Sequence, residues 1–304
     1  MSKEYRPNQA LEQELTGRVN RGVKYLVDNT QDGLCIDYHH ERLGASDAWI
    51  TTLVGSVLSE FDAVPEQMLP AMLDLKDDRG GWGWNVHVPS DADVTLRALQ
   101  FFRKVGFYDA EIFSKAEDFI LDHQQEDGGI ATFLPEDVRI VREGGTSGYV
   151  EPHPEVDALA LKQLTNPAAK TRIKEHLDHS IDKFGYASFW WNTPHYLAHE
   201  LGVKEELPVD QSDALELSLD LLRKAKNGVK DQQETETLFR LQEPNGQFPP
   251  TTKLRFPDKD LSAIDIISGT IAGRMIPDDK GILTTPIAIL ALHKQKNLLR
   301  TRPT

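Results

Sequence analysis

The chain reads as an all-α fold of stacked helix pairs in one domain, residues 1–304. Three observations predict it. Apolar residues recur at helical spacing in segment after segment, Gly-rich turns separate those segments, and strand signals are weak throughout. The pattern amounts to about five to six helix pairs at roughly 40–60-residue spacing, similar to known helical repeats. Periodicity alone leaves two architectures open, an open solenoid and a closed toroid.

Residues 12–29 are amphipathic, with Leu15, Val19, Val23 and Leu26 near the helical period, and Gln31-Asp32-Gly33 ends the segment. Ser46 begins a second helix with the apolar stripe Trp49, Ile50, Leu53, Val54, Val57 and Leu58. The same two-step unit then returns. Residues 65–76 read as helix up to the break Arg79-Gly80-Gly81-Trp82-Gly83-Trp84, and Ser90 starts a partner carried by Leu96, Leu99, Phe101 and Phe102. Residues 109–124 form the next, ended by Gln125-Glu126-Asp127-Gly128-Gly129. Pro154 fits the first turn of its partner, carried by Val156, Leu159 and Leu161. There follow 170–183, a helix opened by Thr193-Pro194, and a last partner opened by Thr285-Pro286. Between 205 and 245 two helices, about 212–226 and 229–242, meet at Asn227-Gly228, and the pattern does not say which is inner. The segment 244–282 is rich in Pro, Gly and Asp and reads as a long loop.

Composition narrows the function. Hydrophobic residues make up 39% of the chain, enough to bury a core, yet no stretch approaches the roughly 18 consecutive apolar residues of a membrane span. The charged start Met-Ser-Lys-Glu-Tyr-Arg lacks the apolar centre of a signal peptide, so a soluble, cytoplasmic protein without an integral membrane segment is expected. One cysteine, Cys35, excludes an intramolecular disulfide. The formal charge is −14, which repels phosphate backbones, so nucleic acid is not an expected partner. Oligomeric state is not legible. No P-loop, G-x-G-x-x-G or G-x-S-x-G is present, so nucleotide chemistry and a hydrolase elbow have no support.

The turns carry a recurrent signature. Gln125-Glu126-Asp127-Gly128-Gly129 and Leu241-Gln242-Glu243-Pro244-Asn245-Gly246-Gln247-Phe248 are similar to the Gln-x-x-Asp/Asn-Gly-x-aromatic repeats of squalene cyclases, with Gln31-Asp32-Gly33 a shorter echo. Gly80-Gly81-Trp82-Gly83-Trp84-Asn85 resembles the Gly-Gly-Trp element of the same group. Locally, Gly permits positive φ at a helix end, Gln bonds freed backbone groups, and an aromatic stacks beneath. Taken alone, one such turn is no more than a helix stop. Over roughly 20–295 the chain resembles the terpenoid cyclase and prenyltransferase superfamily, and the resemblance implies a closed single (α/α) toroid. Parallel inner helices would then bring Asp47, Asp91, Asp93, His153, Glu155, Asp157, His195 and Thr285 to one mouth.

Class II terpene cyclases carry Asp-x-Asp-Asp-Thr at the start of an inner helix, the middle Asp being the proton donor. Asp91-Ala92-Asp93-Val94-Thr95 resembles it, with Asp93 at the donor position, Asp91 its partner and Val94 a departure at the fourth position. Such chemistry needs a carboxyl that stays protonated, which burial and a neighbouring carboxylate both favour. The resemblance gives His153 as the residue that orients the acid. The competing reading is a helix cap, since Ser90-x-x-Asp93 fits a capping box and a first-turn Asp suits the macrodipole.

Trp49, Trp82, Trp84, Tyr149, Phe189, Trp190, Trp191 and Tyr196 are candidate substrate-cavity residues, since ring faces stabilise cations; each also fits a plain core. Asp47, Asp157 and His195 are candidate substrate-binding groups at the mouth. Cys35, Asp37, His39 and His40 lie close in sequence, but the order is Cys-x-Asp rather than the Asp-x-Cys of zinc prenyltransferases, so no metal is expected. Asp77-Asp78 and Asp278-Asp279 do not extend into Asp-Asp-x-x-Asp, which argues against magnesium-assisted diphosphate ionisation. Arg42, Arg97, Lys253 and Arg255 near the presumed mouth could read a phosphate, though each fits better as a solvated surface charge.

The resemblance therefore implies a cofactor-independent cyclase or isomerase of natural-product type. Asp93 would protonate an alkene or epoxide of an isoprenoid or meroterpenoid substrate, with segments 134–150 and 249–282 enclosing it. The same toroid turned to acid–base chemistry on a polar substrate, gaining if Asp157 and His199 face the cavity, and a non-catalytic toroid that binds a ligand or a protein remain as alternatives.

Overall fold

The computed structural model describes residues 7–40, 43–141, 147–257, 261–269 and 274–300. In chain order its helices are α1 (Pro7–Asp28), α2 (Ala48–Leu58), α3 (Met68–Asp74), α4 (Ala92–Lys104), α5 (Ala110–Asp122), α6 (Pro135–Val141), α7 (Pro154–Gln163), α8 (Pro167–Phe184), α9 (His195–Leu201), α10 (Ala214–Lys226), α11 (Gln232–Arg240), α12 (Ala263–Ile267) and α13 (Thr284–Arg300). The inner ring runs α2, α4, α7, α9, α10, α13, each packed on the next, and α13 packs back on α2. That last contact closes the toroid. Outside it, α1 lies on α13, α3 on α2, α5 on α4, α8 on α7, and α11 on α10 and α13. The ambiguity between 205 and 245 resolves in favour of α10 as the inner helix: Ala214–Lys224 are all buried, including four charged residues that find partners. No helix of the described residues is long and apolar enough to cross a membrane.

Among the described residues one turn recurs four times and sets the inner helices in register. The amide of the residue two after the turn glycine donates to a side chain near the start of an inner helix. Cys35 N donates to Thr51 Oγ1 at 2.8 Å, Trp82 N to Thr95 Oγ1 at 3.0 Å, Ile130 N to Asp157 Oδ1 at 2.8 Å and Phe248 N to Thr285 Oγ1 at 3.0 Å. Gln124 and Gln242 each donate Nε2 to the turn's glycine carbonyl and to the backbone of the next outer helix. Gly246 shows why the glycine is needed. Its φ is +98°, and a Cβ there would lie 2.3 Å from Arg21 O in α1, where the ring closes. Gly246→Ala therefore meets both a left-handed backbone and a main-chain collision. It is expected to destabilise by about 2 kcal/mol or more, read as a lowered urea midpoint.

Among the described residues, four two-stranded ribbons of two to four residues per strand decorate the ring. Strands this short leave no period-two signal in sequence. The expected long loop at 244–282 instead contains one of them, Leu254–Phe256 against Arg274–Ile276, and α12.

Candidate active site

The N-terminal ends of α2, α4, α7 and α9 converge, and each contributes its second residue: Trp49, Asp93, Glu155 and Tyr196. Asp93 Oδ2 accepts from Trp49 Nε1 at 2.9 Å and from Arg97 Nε at 3.2 Å. Arg97 Nη2 donates to Tyr196 Oη at 2.6 Å, and its guanidinium lies 5.4 Å over the Trp49 ring and 5.7 Å over the Tyr196 ring. Arg97 is thus no surface charge. It is buried against Asp93, and the two sit in one i, i+4 ion pair between two ring faces.

From Asp93 a continuous aromatic run spreads around the mouth. Tyr196 stacks on Trp191 at 4.2 Å, Trp191 meets Trp49 at 6.1 Å, and Trp49 stacks on Trp84 at 5.4 Å. Phe256 then bridges Trp84 at 5.5 Å and Trp190 at 6.0 Å, and Trp190 meets Tyr149 at 5.3 Å. Tyr149 reaches Phe189 at 5.8 Å. The run is held by backbone pairing across two segments distant in sequence: Asn192 N donates to Lys253 O and Arg255 N to Trp190 O. Gly148 N donates to Leu261 O and Tyr149 Oη to Pro257 O, so the segments expected to enclose a ligand do meet each other. Phe256 was not legible beforehand, because it falls in the stretch read as loop.

Three carboxyls gather here. Asp91, not Ser90, caps α4, its Oδ1 accepting from Val94 N at 2.8 Å; Ser90 lies in the short ribbon with Gly83. Burial, and then the charge of Asp93, push the Asp91 carboxyl well above its usual range. Glu155 is buried as well. Its Oε1 accepts from Trp190 N at 2.7 Å, and burial chiefly, with the charge of Asp93, raises it to about 7. Asp93 Oδ1, Glu155 Oε2 and Arg255 Nε are buried with no hydrogen-bond partner among the described residues. An unmet buried polar atom costs about 1–3 kcal/mol, and Glu155 interacts through its charge with both Asp93 and Arg255. Arg255 is itself buried, bonded through Nη1 to Ile266 O and through Nη2 to Asn192 Oδ1, which corrects its reading as a surface charge.

Other expected site residues stand elsewhere. His153 does not touch Asp93. Its Nε2 pairs with Gly148 O at 2.7 Å and its Nδ1 with Thr132 Oγ1 at 2.7 Å, and that hydroxyl also accepts from Trp190 Nε1. The chain of donors leaves the ring neutral, burial lowers it to about 3, and it stacks on Phe189 at 4.0 Å. Its role is to brace Phe189 and Trp190. Asp157 is consumed by Ile130 N and by His176 Nδ1 at 2.6 Å. His195 Nε2 pairs with Pro208 O, and its buried Nδ1, without a hydrogen-bond partner among the described residues, lies 3.6 Å from Asp220 Oδ1. Trp82 turns outward, donating to Met72 O and packing on Phe102, so it is core. Asp47 caps α2 through Ala48 N, and its amide donates to Trp84 O at the edge of the run. His199 sits at the C-terminal rim with Glu200 and Lys226, so it does not favour the polar-substrate variant, and neither does Asp157. Lys253 pairs with Glu216. Cys35 is buried with its Sγ against Thr30, and no three His, Cys, Asp or Glu among the described residues are placed to hold a metal. Arg42 and the side chains of His39 and His40 lie outside the described residues.

No protein-family profile and no curated protein matches the sequence. Solved structures do match the fold. An Asp-to-Asn variant of the type II terpene cyclase MstE from Scytonema, in complex with geranylgeranyl dihydroxybenzoate as substrate, aligns with a TM-score of 0.79 and 22% identity over 94% of this chain and 98% of that one. An Asp-to-Ala variant of MstE with merosterolic acid A as product gives 0.80 at 20% identity over 94% and 98%. A protein from Actinoplanes gives 0.77 at 21% over 92% and 99%. The chain has the toroid of these type II terpene cyclases.

Proposed function

We propose that this protein is a metal-independent cyclase that protonates an alkene or epoxide of an isoprenoid or meroterpenoid substrate and closes rings on the resulting cation. The observation that carries the reading is the single neighbourhood of carboxyls and ring faces: Asp91, Asp93 and Glu155 beside Trp49, Trp84, Trp190 and Phe256. The carboxyls supply a proton, and the ring quadrupoles stabilise a migrating cation that has no counter-ion of its own. Asp93 stands at the donor position of the motif, with Asp91 as its raised neighbour. The substrate and product bound by MstE support a prenylated substrate, and the free Arg255 Nε favours one with a polar head group. The test is incubation of the purified chain with a panel of linear polyprenyl and prenylated-arene substrates in the presence of chelator, with products read by mass spectrometry and NMR. Cyclised isomers of unchanged mass are the expected result for the alkene substrates. A broad panel returned intact would overturn the reading and move the fold toward ligand binding alone.

A further inference from the structure

We propose that the His176–Asp157 pair is a proton-operated tie between the outer helix α8 and the segment 130–132, on which the start of α4 and Trp190 rest. Of the four recurrent turns, three end on a neutral hydroxyl: Thr51, Thr95 and Thr285 accept the turn amide. The third in chain order ends on a carboxyl instead. The helix position is the same, since Thr51, Thr95 and Asp157 are each the fourth residue of their helix. A hydroxyl offers one oxygen and a carboxyl two. Asp157 Oδ1 accepts from Ile130 N at 2.8 Å, and Oδ2 accepts from His176 Nδ1 of α8 at 2.6 Å. Asp157 is wholly buried, whereas the His176 side chain is 13% exposed and its Nε2 lies 3.7 Å from the exposed Asp127. Solvent protons therefore reach the pair through His176, while the carboxyl stays inside.

Segment 130–132 joins three parts of the mouth. Ile130 O accepts from His153 N, just ahead of α7, and Thr132 O accepts from Ala92 N at 2.9 Å, one residue before Asp93. Thr132 Oγ1 accepts from Trp190 Nε1 at 3.0 Å. The His176 ring sits directly on the turn, since a Cβ at Gly129 would lie 2.5 Å from its Nδ1. Few charges face the pair. Asp127 comes from the turn. His153, at the cap of α7, is neutral and bonded at both ring nitrogens. Arg172 of α8 is spent on Gln125 O and Glu126 O, and His123, after α5, on Phe119 O. From α9 comes the apolar Leu197, packed with Ala158 of α7 and Leu177 of α8.

The tie loosens as pH rises. Burial raises Asp157 to about 6, against the opposing pull of His176. For His176, burial acts downward and is outweighed by the bond to Asp157 and by the charges of Asp157 and Asp127, so it is raised as well. Both groups hold their protons more tightly in the folded chain than in the unfolded one. The pair's contribution is therefore full below the ordinary carboxyl range. It falls as pH climbs through about 6, where Asp157 ionises, and falls again as His176 gives up its proton. What remains then is a buried carboxylate without a countercharge.

The experiment follows wild type, Asp157→Thr and His176→Asn by urea unfolding between about pH 5 and pH 8, with NMR of the Trp190 indole N–H, assigned by its loss in Trp190→Phe. Threonine supplies at 157 the acceptor that the other three turns use, so Asp157→Thr should fold. The wild-type midpoint should drop by about 0.5–1 M over this range, and that of Asp157→Thr by less than half as much. In His176→Asn the carboxyl has lost its cation, so the drop should move to higher pH. The Trp190 indole resonance should titrate together with the His176 ring protons in wild type and stand still in Asp157→Thr. Superimposable pH profiles of wild type and Asp157→Thr overturn the tie, as does a drop that His176→Asn leaves in place. A Trp190 resonance that ignores the titration of His176 overturns its reach to the mouth. None of these readouts uses a substrate, so the outcome is independent of the cyclase reading.

Discussion

Asp93→Asn should keep its fold and lose about 10²- to 10⁴-fold in turnover on any substrate the wild type converts, the span of a lost acid–base group. The fold survives because asparagine retains an oxygen to accept from Trp49 Nε1 and Arg97 Nε. Arg97 also keeps Tyr196 Oη and the two ring faces, so the substitution removes charge rather than contact. That charge has three uses in this site. It balances a buried guanidinium, it helps raise Asp91 and Glu155, and on the proposed function it would offset the charge of a substrate cation formed nearby. Without it Arg97 becomes an uncompensated positive charge beside that cation, and the neighbouring carboxyls become easier to ionise and so poorer donors. The alkaline limb of kcat should therefore move to lower pH, a shift that a merely structural residue would not cause. Turnover within about threefold of wild type, with the pH profile unmoved, would remove Asp93 from the chemistry and leave it as the anchor of Trp49 and Arg97.

The parts of this site that were legible in sequence are those fixed by local order. The helix starts at 48, 92, 154 and 195 follow from turn glycines, caps and prolines. Once the resemblance gave parallel inner helices, Asp91, Asp93 and Glu155 were expected at one mouth. What could not be read is pairing between distant segments. Arg97 looked like one more solvated charge on a helix; its burial follows from Tyr196, 99 residues away. Arg255 and Phe256 reach the mouth only because 253–255 pairs with 190–192. His153 fell at the rim as expected, yet the hydroxyl of Thr132 and the carbonyl of Gly148 had already claimed both of its nitrogens. Glu155 was visible at the mouth from the start. What no sequence pattern encodes is that its Oε2 is buried without a hydrogen-bond partner among the described residues.

The largest loss of stability from one side chain is expected at α10. Asp220 Oδ1 accepts from Arg223 Nε at 3.0 Å and Nη2 at 2.7 Å, Oδ2 lies 3.0 Å from Lys224 Nζ, and Asp220 and Arg223 are almost wholly buried. Asp220→Ala leaves Arg223 with only Val203 O at 3.3 Å and the exposed Glu206 at 3.7 Å. Removing one partner of a buried pair typically costs about 3–5 kcal/mol, because the survivor stays desolvated. Lys224 is better placed, since Asp231 and Glu234 still hold it. The cost should therefore come from Arg223, and the double variant Asp220→Leu, Arg223→Leu should recover most of it in urea unfolding. A single-variant loss below about 1 kcal/mol would mean that water reaches the guanidinium and that the pair is not buried in solution. The consequence extends to the mouth. α10 packs on α9, His195 of α9 lies 3.6 Å from Asp220, and the next residue is Tyr196, which holds Arg97 and stacks on Trp191. A loosened α10 should accordingly lower turnover without altering its pH profile, whereas Asp93→Asn alters both.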